Sequence, residues 1–238
     1  MIIFGANPVI EAIRAHPGRI RWIAVSKEEG RRHQRIVDQA RAAGVSVRFV
    51  AVRDVDRMTQ GAVHNGVAAE LAAAEYADFE TLAGTARRVF LLDGVTDPQN
   101  LGAIIRVADC FGIDMVVVPE HESAGLTPVA VKASAGASEW VPVAQVTNLA
   151  RAIERLKKEG FWVWGAEAEG ERLDRVDLRG KVAIVLGSEG KGIRRNVREH
   201  CDGKVAIPLR GHVDSLNVAA AAAVIGWEIE RQSGSRGV

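Results

Sequence analysis

The chain has 238 residues, 47% hydrophobic and 26% charged, with a formal net charge of +1 at pH 7, the composition of a globular protein with one large domain or a large and a small one. Nothing in it approaches the roughly 18 uninterrupted apolar residues of a membrane span, since the longest candidate, Val218 to Ile229, is broken by Gly226 and Glu228. The start lacks the features of a secretory signal, and Cys110 and Cys201 stand alone without C-x-x-C spacing, so we expect a cytoplasmic protein with buried, reduced thiols, no membrane partner, no disulfide framework and no metal.

In chain order, Asn7 can cap a helix with Pro8 in its first turn and Val9, Ala12 and Ile13 on one apolar face. Trp22 to Val25 reads as a strand, Arg31 to Ala43 as a helix, Val45 to Val50 as a strand and Asp54 to Met58 as a short helix. Val67 to Leu71 follows the turn signal His64-Asn65-Gly66 and completes a small α/β unit, residues 1–71. Between Met1 and Gln60, eleven Lys/Arg face six Asp/Glu, with Arg31, Arg32 and Arg35 close together. Such a face can meet phosphates, the alternative being an ordinary solvated surface. Residues 72–85 are rich in alanine and acidic residues without a clear period, and suit a linker.

From residue 86 to 238, short apolar strands alternate with helices. The strands are Val89–Leu92, Met115–Val118, Phe161–Trp164, Val182–Leu186 and Lys204–Ile207. The helices fall near Leu101–Phe111, Leu149–Glu159 and Ile193–His200, with a last one over Leu216–Gln232. This pattern predicts an α/β fold with a parallel sheet covered on both faces, and ligands in such sheets bind at the carboxyl ends of strands.

Three polar clusters fall at those ends. Asp93 to Gly102 contains Asp97, Pro98 and Asn100 at the mouth of a helix, with Arg106 off its buried stripe and suited to a phosphate. Asp93, Asp97 and Asn100 could equally serve only as helix caps. Gly187-Ser188-Glu189-Gly190-Lys191-Gly192 is a glycine-rich loop with a carboxylate inside it, and it fits neither the P-loop nor the G-x-G-x-x-G spacing. Ile207-Pro208-Leu209 precedes Ser215-Leu216-Asn217-Val218, where Ser215 suits a helix cap and Asn217 stands inside an otherwise apolar helix. No Ser-His-Asp order or metal-ligand set competes with these clusters.

With these motifs in this order, residues Arg87 to Arg231 resemble the SpoU (TrmH-like) RNA 2′-O-ribose methyltransferases of the SPOUT superfamily. Gly5 to Ala12 and His64-Asn65-Gly66-Val67 resemble the ribosomal-protein-like RNA-binding domain of the branch that modifies 23S rRNA. The resemblance implies a C-terminal deep trefoil knot, an exception to the rule against knots. It also implies an S-adenosylmethionine pocket in that knot and a homodimer whose sites draw on both subunits. Gly187, Ile207 and Leu216 match positions that hold the cofactor, and Asn100, Arg106, Glu189, Ser215 and Asn217 match catalytic and substrate-positioning residues. Methyl transfer from a sulfonium needs alignment and proton removal but no metal. An arginine stays protonated, so phosphate positioning and electrostatic activation suit Arg106 better than a role as base. The expected substrate is a guanosine of 23S rRNA; the alternatives are a tRNA 2′-O-methyltransferase of the same family or a non-catalytic RNA-binding assembly factor.

Overall fold

The computed structural model describes residues 1–72 and 75–234. Its first strand, β1 (Ile2–Phe4), is three residues long, too short for its periodicity to be legible. It is followed by α1 (Ala6–Ala15), β2 (Ile20–Ser26), α2 (Gln34–Ala42), β3 (Val47–Val50), α3 (Val52–Met58) and β4 (Val67–Leu71). These strands form a four-stranded sheet in the order β1-β4-β2-β3, parallel only at β2/β3. Ile3, Ile23 and Val25 pack there against Val9 and Ile13 of α1 and Ile36 and Val37 of α2.

Two local expectations are corrected in this unit. Asn7 does not cap α1: Gly5 takes the cap position, its N–H donates to the Val67 carbonyl at 3.0 Å, and Asn7 lies within the first turn. The helix expected from Arg31 begins at Gln34, because Arg31 to His33 form a turn that buries His33, whose Nε2 lies 2.7 Å from the Asn65 carbonyl. Arg31, Arg32 and Arg35 remain exposed.

Part of the expected linker is also regular structure. Phe79–Thr85 forms α4, with the Asp78 carboxylate accepting from Thr81 N at 2.8 Å and Phe79 and Ala83 buried in the following unit. Two turns are too few for a period to show, and the Asp-x-x-Thr cap was the signal that could have revealed it. Ala73 and Ala74 of that linker, and residues 235–238, lie outside the described residues.

The remaining elements are β5 (Arg88–Asp93), α5 (Pro98–Cys110), β6 (Met115–Pro119), α6 (Pro128–Ala133), β7 (Val143–Val146), α7 (Leu149–Lys158), β8 (Trp162–Arg172), β9 (Val182–Gly187), α8 (Arg195–Arg198), β10 (Gly203–Ala206) and α9 (Val218–Gln232). The strands form a six-stranded, all-parallel sheet in the order β10-β8-β9-β5-β6-β7. Alternation along each strand sends Val89, Leu91, Val117 and Val185 toward α4 and α7, and Phe90, Leu92, Val118 and Leu186 toward α5 and α9. Each large side chain buried this way contributes about 1.5–3 kcal/mol, so both faces must stay covered. The long polar half of β8 was invisible in the sequence because it is held by pairing with β10, through a register shift between Lys204 and Val205.

α6 joins the two sheets. Val131 is buried in the core of the four-stranded unit, and Lys132 Nζ donates to the Val63 carbonyl while standing 5.0 Å from the centre of the Phe4 ring. Trp140 Nε1 donates to Glu11 Oε2 at 3.1 Å, adding a second tie. Cys110 is exposed at the end of α5 rather than buried as expected, whereas burial pushes the half-buried Cys201 thiol up to about 11. Among the described residues, no helix is long and apolar enough to cross a membrane.

Candidate active site

β5 and β9 are neighbours at the place where the order of the parallel sheet reverses. Loops that leave adjacent strands at such a point splay apart and open a crevice. Here the loop after β5 leads through Asp97, which caps α5 by accepting from Gln99 N at 2.9 Å, into Pro98 and Asn100. The glycine-rich loop leaves β9, and α9 arrives at the same place from the far end of the chain.

The three clusters meet through one amide. Asn217 is the N-cap of α9, and its Oδ1 accepts from Ala219 N at 2.9 Å and Ala220 N at 3.3 Å. Those donors fix which way round the amide lies, so its Nδ2 faces outward. It donates to Asn100 Oδ1 at 2.9 Å and to Glu189 Oε1 at 2.7 Å. Two hydrogens and two lone pairs are then all engaged. Asn100 Nδ2 donates to the same Glu189 oxygen at 3.3 Å, closing a triangle of side chains. Glu189 Oε2 makes no hydrogen bond among the described residues and is left as an acceptor at the mouth of the crevice.

Asn217, expected one position inside α9, is therefore its cap, and Ser215, expected as a cap, lies exposed in the preceding loop without a hydrogen bond among the described residues. A cap requires non-helical backbone at the turn into the helix, and Asn217 has it with φ −51° and ψ 140°.

Close approach dictates the glycine loop. Ser188 and Gly192 exchange backbone hydrogen bonds at 3.1 and 2.9 Å, folding residues 188–192 into a tight hairpin. A Cβ on Gly187 would stand 2.3 Å from the Gly192 carbonyl carbon, so no other residue fits at its base. Gly190 and Gly192 adopt φ of 80° and 65°, which glycine reaches without strain.

Residues 207–216 connect β10 to α9. Among the described residues they make no backbone hydrogen bond outside the strands, which leaves their amides and carbonyls available to a ligand. Ile207 is half-buried against the core, while Leu209, Val213 and Leu216 are exposed. The unengaged backbone groups and apolar side chains of this segment are a set that fits S-adenosylmethionine, a ligand with a flat heteroaromatic ring, a ribose and a zwitterionic tail.

Arg106 does not join this group. It is exposed, without a hydrogen bond or ion pair among the described residues, and lies about 9 Å along α5 from Asn100 and a third of a turn around it. The sequence also understated Asp93, read there only as a possible cap, and gave no sign of Arg194. Asp93 is 1% exposed, and its Oδ2 accepts from Arg194 N at 2.7 Å while Oδ1 accepts from Arg194 Nε at 2.6 Å. A charged residue ending a four-residue apolar run was the one available hint.

Comparison with known proteins assigns the chain to a family. Residues 87–227 match the SpoU rRNA methylase family, and residues 2–77 match the RNA 2′-O ribose methyltransferase substrate-binding family. The chain is 39% identical over 238 residues to a 23S rRNA (guanosine-2′-O-)-methyltransferase RlmB from Coxiella burnetii, covering 97% of this chain and 95% of the relative. It is 42% identical over 241 residues to the protein of that name from Xanthomonas axonopodis pv. citri, covering 97% and 96%. The SpoU methyltransferase AviRb from Streptomyces viridochromogenes, solved in complex with AdoMet, has the same fold: TM-score 0.81 at 23% identity, with 98% of this chain and 90% of that one covered. By the match over its parallel-sheet region and by relatives of nearly equal length, the chain belongs to the SpoU rRNA methylase family.

Proposed function

We infer that this protein is an RNA 2′-O-ribose methyltransferase that uses S-adenosylmethionine and acts on a guanosine of 23S rRNA. The observation that carries the inference is the Asn100–Glu189–Asn217 triangle, which ties three loops separated by up to 117 positions into one polar site beside an amide-rich loop. Relatives near 40% identity along the whole chain are named for this reaction and this RNA.

When bound, the cofactor supplies an electrophilic methyl group on a sulfonium. The chain's own residues do the rest. Gly187, Ile207 and Leu216 offer the backbone and apolar surface that hold it. Glu189 Oε2 accepts a ribose hydroxyl and orients its oxygen, while Asn100 and Asn217 hold that carboxylate in place. Ser215, exposed beside them, adds a hydroxyl for the substrate. Arg106 binds an RNA phosphate and stabilises negative charge developing on the ribose oxygen.

The separation of Arg106 from the triangle supports a homodimer in which each site takes this arginine from the partner subunit. Val224 and Trp227 leave an apolar strip exposed on α9, which suits such an interface. The knot implied by family resemblance would lie in the C-terminal loops that carry the cofactor. Residues 1–71, ribosomal-protein-like in resemblance, would bind the RNA through Arg31, Arg32 and Arg35. Residues 72–85 would join them to the catalytic unit 86–238, with α4 already packed on the latter.

The test is transfer of labelled methyl from S-adenosylmethionine to 23S rRNA transcripts and to tRNA, followed by digestion to nucleosides. 2′-O-methylguanosine from 23S rRNA alone is the expected result; label in tRNA alone, or none despite measurable cofactor binding, would overturn it.

A further inference from the structure

Asp93 ends β5 with its side chain fully buried, yet it carries a carboxylate. Burying that charge costs free energy that asparagine would not, unless the charge is matched. The match is Arg194: its backbone N–H and its Nε bind the two carboxylate oxygens, and Nη2 lies 2.6 Å from Oδ1. With its carboxylate bonded only to Arg194 among the described residues and its side chain closed to solvent, Asp93 has no access to substrate or cofactor. Its geometry suits a different task.

The glycine hairpin is held at both ends by this one residue. At its base, Gly187 is the partner of Asp93 in the β5/β9 register. Beyond the hairpin, Ile193 is buried and Arg194 is clamped to the Asp93 carboxylate. Arg194 then reaches on through Nη1 to Glu122 Oε2 at 2.9 Å, in the loop after β6. Loops from three neighbouring strands are thereby fixed relative to one another. Glu189 rides at the front of the hairpin and must arrive within hydrogen-bond distance of both Asn100 and Asn217.

We propose that Asp93 and Arg194 are positioning residues for methyl transfer, acting through the hairpin to place the Glu189 carboxylate against Asn100 and Asn217. The proposal rests on the function inferred above. Arg194 is half-exposed, so Arg194→Lys keeps a cation near Asp93 while losing the two-pronged grip, and Arg194→Met removes the cation altogether. Asp93→Asn tests the buried partner directly.

The experiment measures kcat and KM for 23S rRNA, the thermal midpoint, and amide exchange of the peptide spanning residues 187–194, for wild type, the Arg194 variants, Asp93→Asn and Glu189→Gln. Displacing a reacting group by about 1 Å costs on the order of 100-fold, so Arg194→Lys should lower kcat by about 10- to 100-fold with little change in KM. Exchange should quicken in the hairpin while the midpoint and the exchange of β5 and β9 stay near wild type. Glu189→Gln should lower kcat and leave hairpin exchange unchanged. Wild-type kcat in Arg194→Lys with a loosened hairpin would overturn the proposal, as would a loss that merely follows faster exchange throughout the sheet. If Glu189→Gln itself keeps wild-type turnover, the inferred site fails. If it is impaired while both Arg194 variants are fully active, only the clamp fails.

Discussion

Replacing Asn217 by aspartate separates two tasks that its amide performs together. The Oδ1 side caps α9 through Ala219 N and Ala220 N, and the Nδ2 side donates to Asn100 and Glu189. Aspartate caps as well as asparagine, whereas alanine loses the cap at about 1 kcal/mol. On the other side, Asn217→Asp puts an oxygen where a donor stood, 2.7 Å from Glu189 Oε1. Two charges at that distance repel by about 1.5 kcal/mol at the dielectric of water, and the exposure of Glu189 makes that the appropriate scale. Adding Glu189→Gln to Asn217→Asp restores a donor opposite an acceptor with the polarity reversed. Urea unfolding of the two single variants and the double variant should therefore give a favourable coupling of about 1 kcal/mol, within the range for side chains in contact. Methyl transfer should fall by about 100-fold or more in Asn217→Asp despite the intact cap, because the carboxylate proposed to orient the hydroxyl is displaced. Additivity within about 0.3 kcal/mol, or near-normal turnover in Asn217→Asp, would refute the triangle as a functional unit.

Arg106→Ala should reduce turnover by about 100-fold or more while leaving cofactor affinity unchanged by calorimetry. Because Arg106 is exposed and has no partner among the described residues, its removal should shift stability by no more than about 0.5 kcal/mol. A Cβ on Gly102 would stand 2.2 Å from the Ala130 carbonyl oxygen, so Gly102→Ala must push α6 off α5. We expect a loss of about 1–3 kcal/mol in chemical denaturation, with the contact between the two sheets weakened as well. Cys201 should resist alkylation at pH 8 in the native protein while exposed Cys110 reacts. Because the folded Cys201 value is raised from 9.0 to about 11, its contribution to stability is complete below pH 9 and is lost as pH rises toward 11, which unfolding midpoints across that window would show. On the proposed homodimer, Trp227→Glu should give monomers in sedimentation where the wild type gives dimers, and abolish turnover; an active monomer would exclude shared sites.

Patterns that depend only on neighbours in the chain were legible from the start. The unbroken apolar runs of β5, β6 and β9 announced a sheet buried on both faces, and the clusters around Asn100, Glu189 and Asn217 marked the strand ends where those three side chains meet. Short elements escaped, because β1, α4, α6 and β7 hold too few residues to display a period and owe their form to what they pack against. The polar half of β8 exists as strand only because β10 supplies its hydrogen-bond partners. Local preference could not choose between Ser215 and Asn217 as the cap, since both are good caps. The choice was made by where the loop from β10 delivers the chain to α9. The same holds for Asp93: a carboxylate after an apolar run is compatible with a cap, a surface turn or a buried pair. Its partner lies 101 positions away, and the two partners of Asn217 lie 117 and 28 positions away. The chain alone determined which side chains were available and at which ends of the sheet. Only tertiary structure decided which donors met which acceptors, because a buried or shared polar group is set by the geometry of segments that sequence distance does not encode.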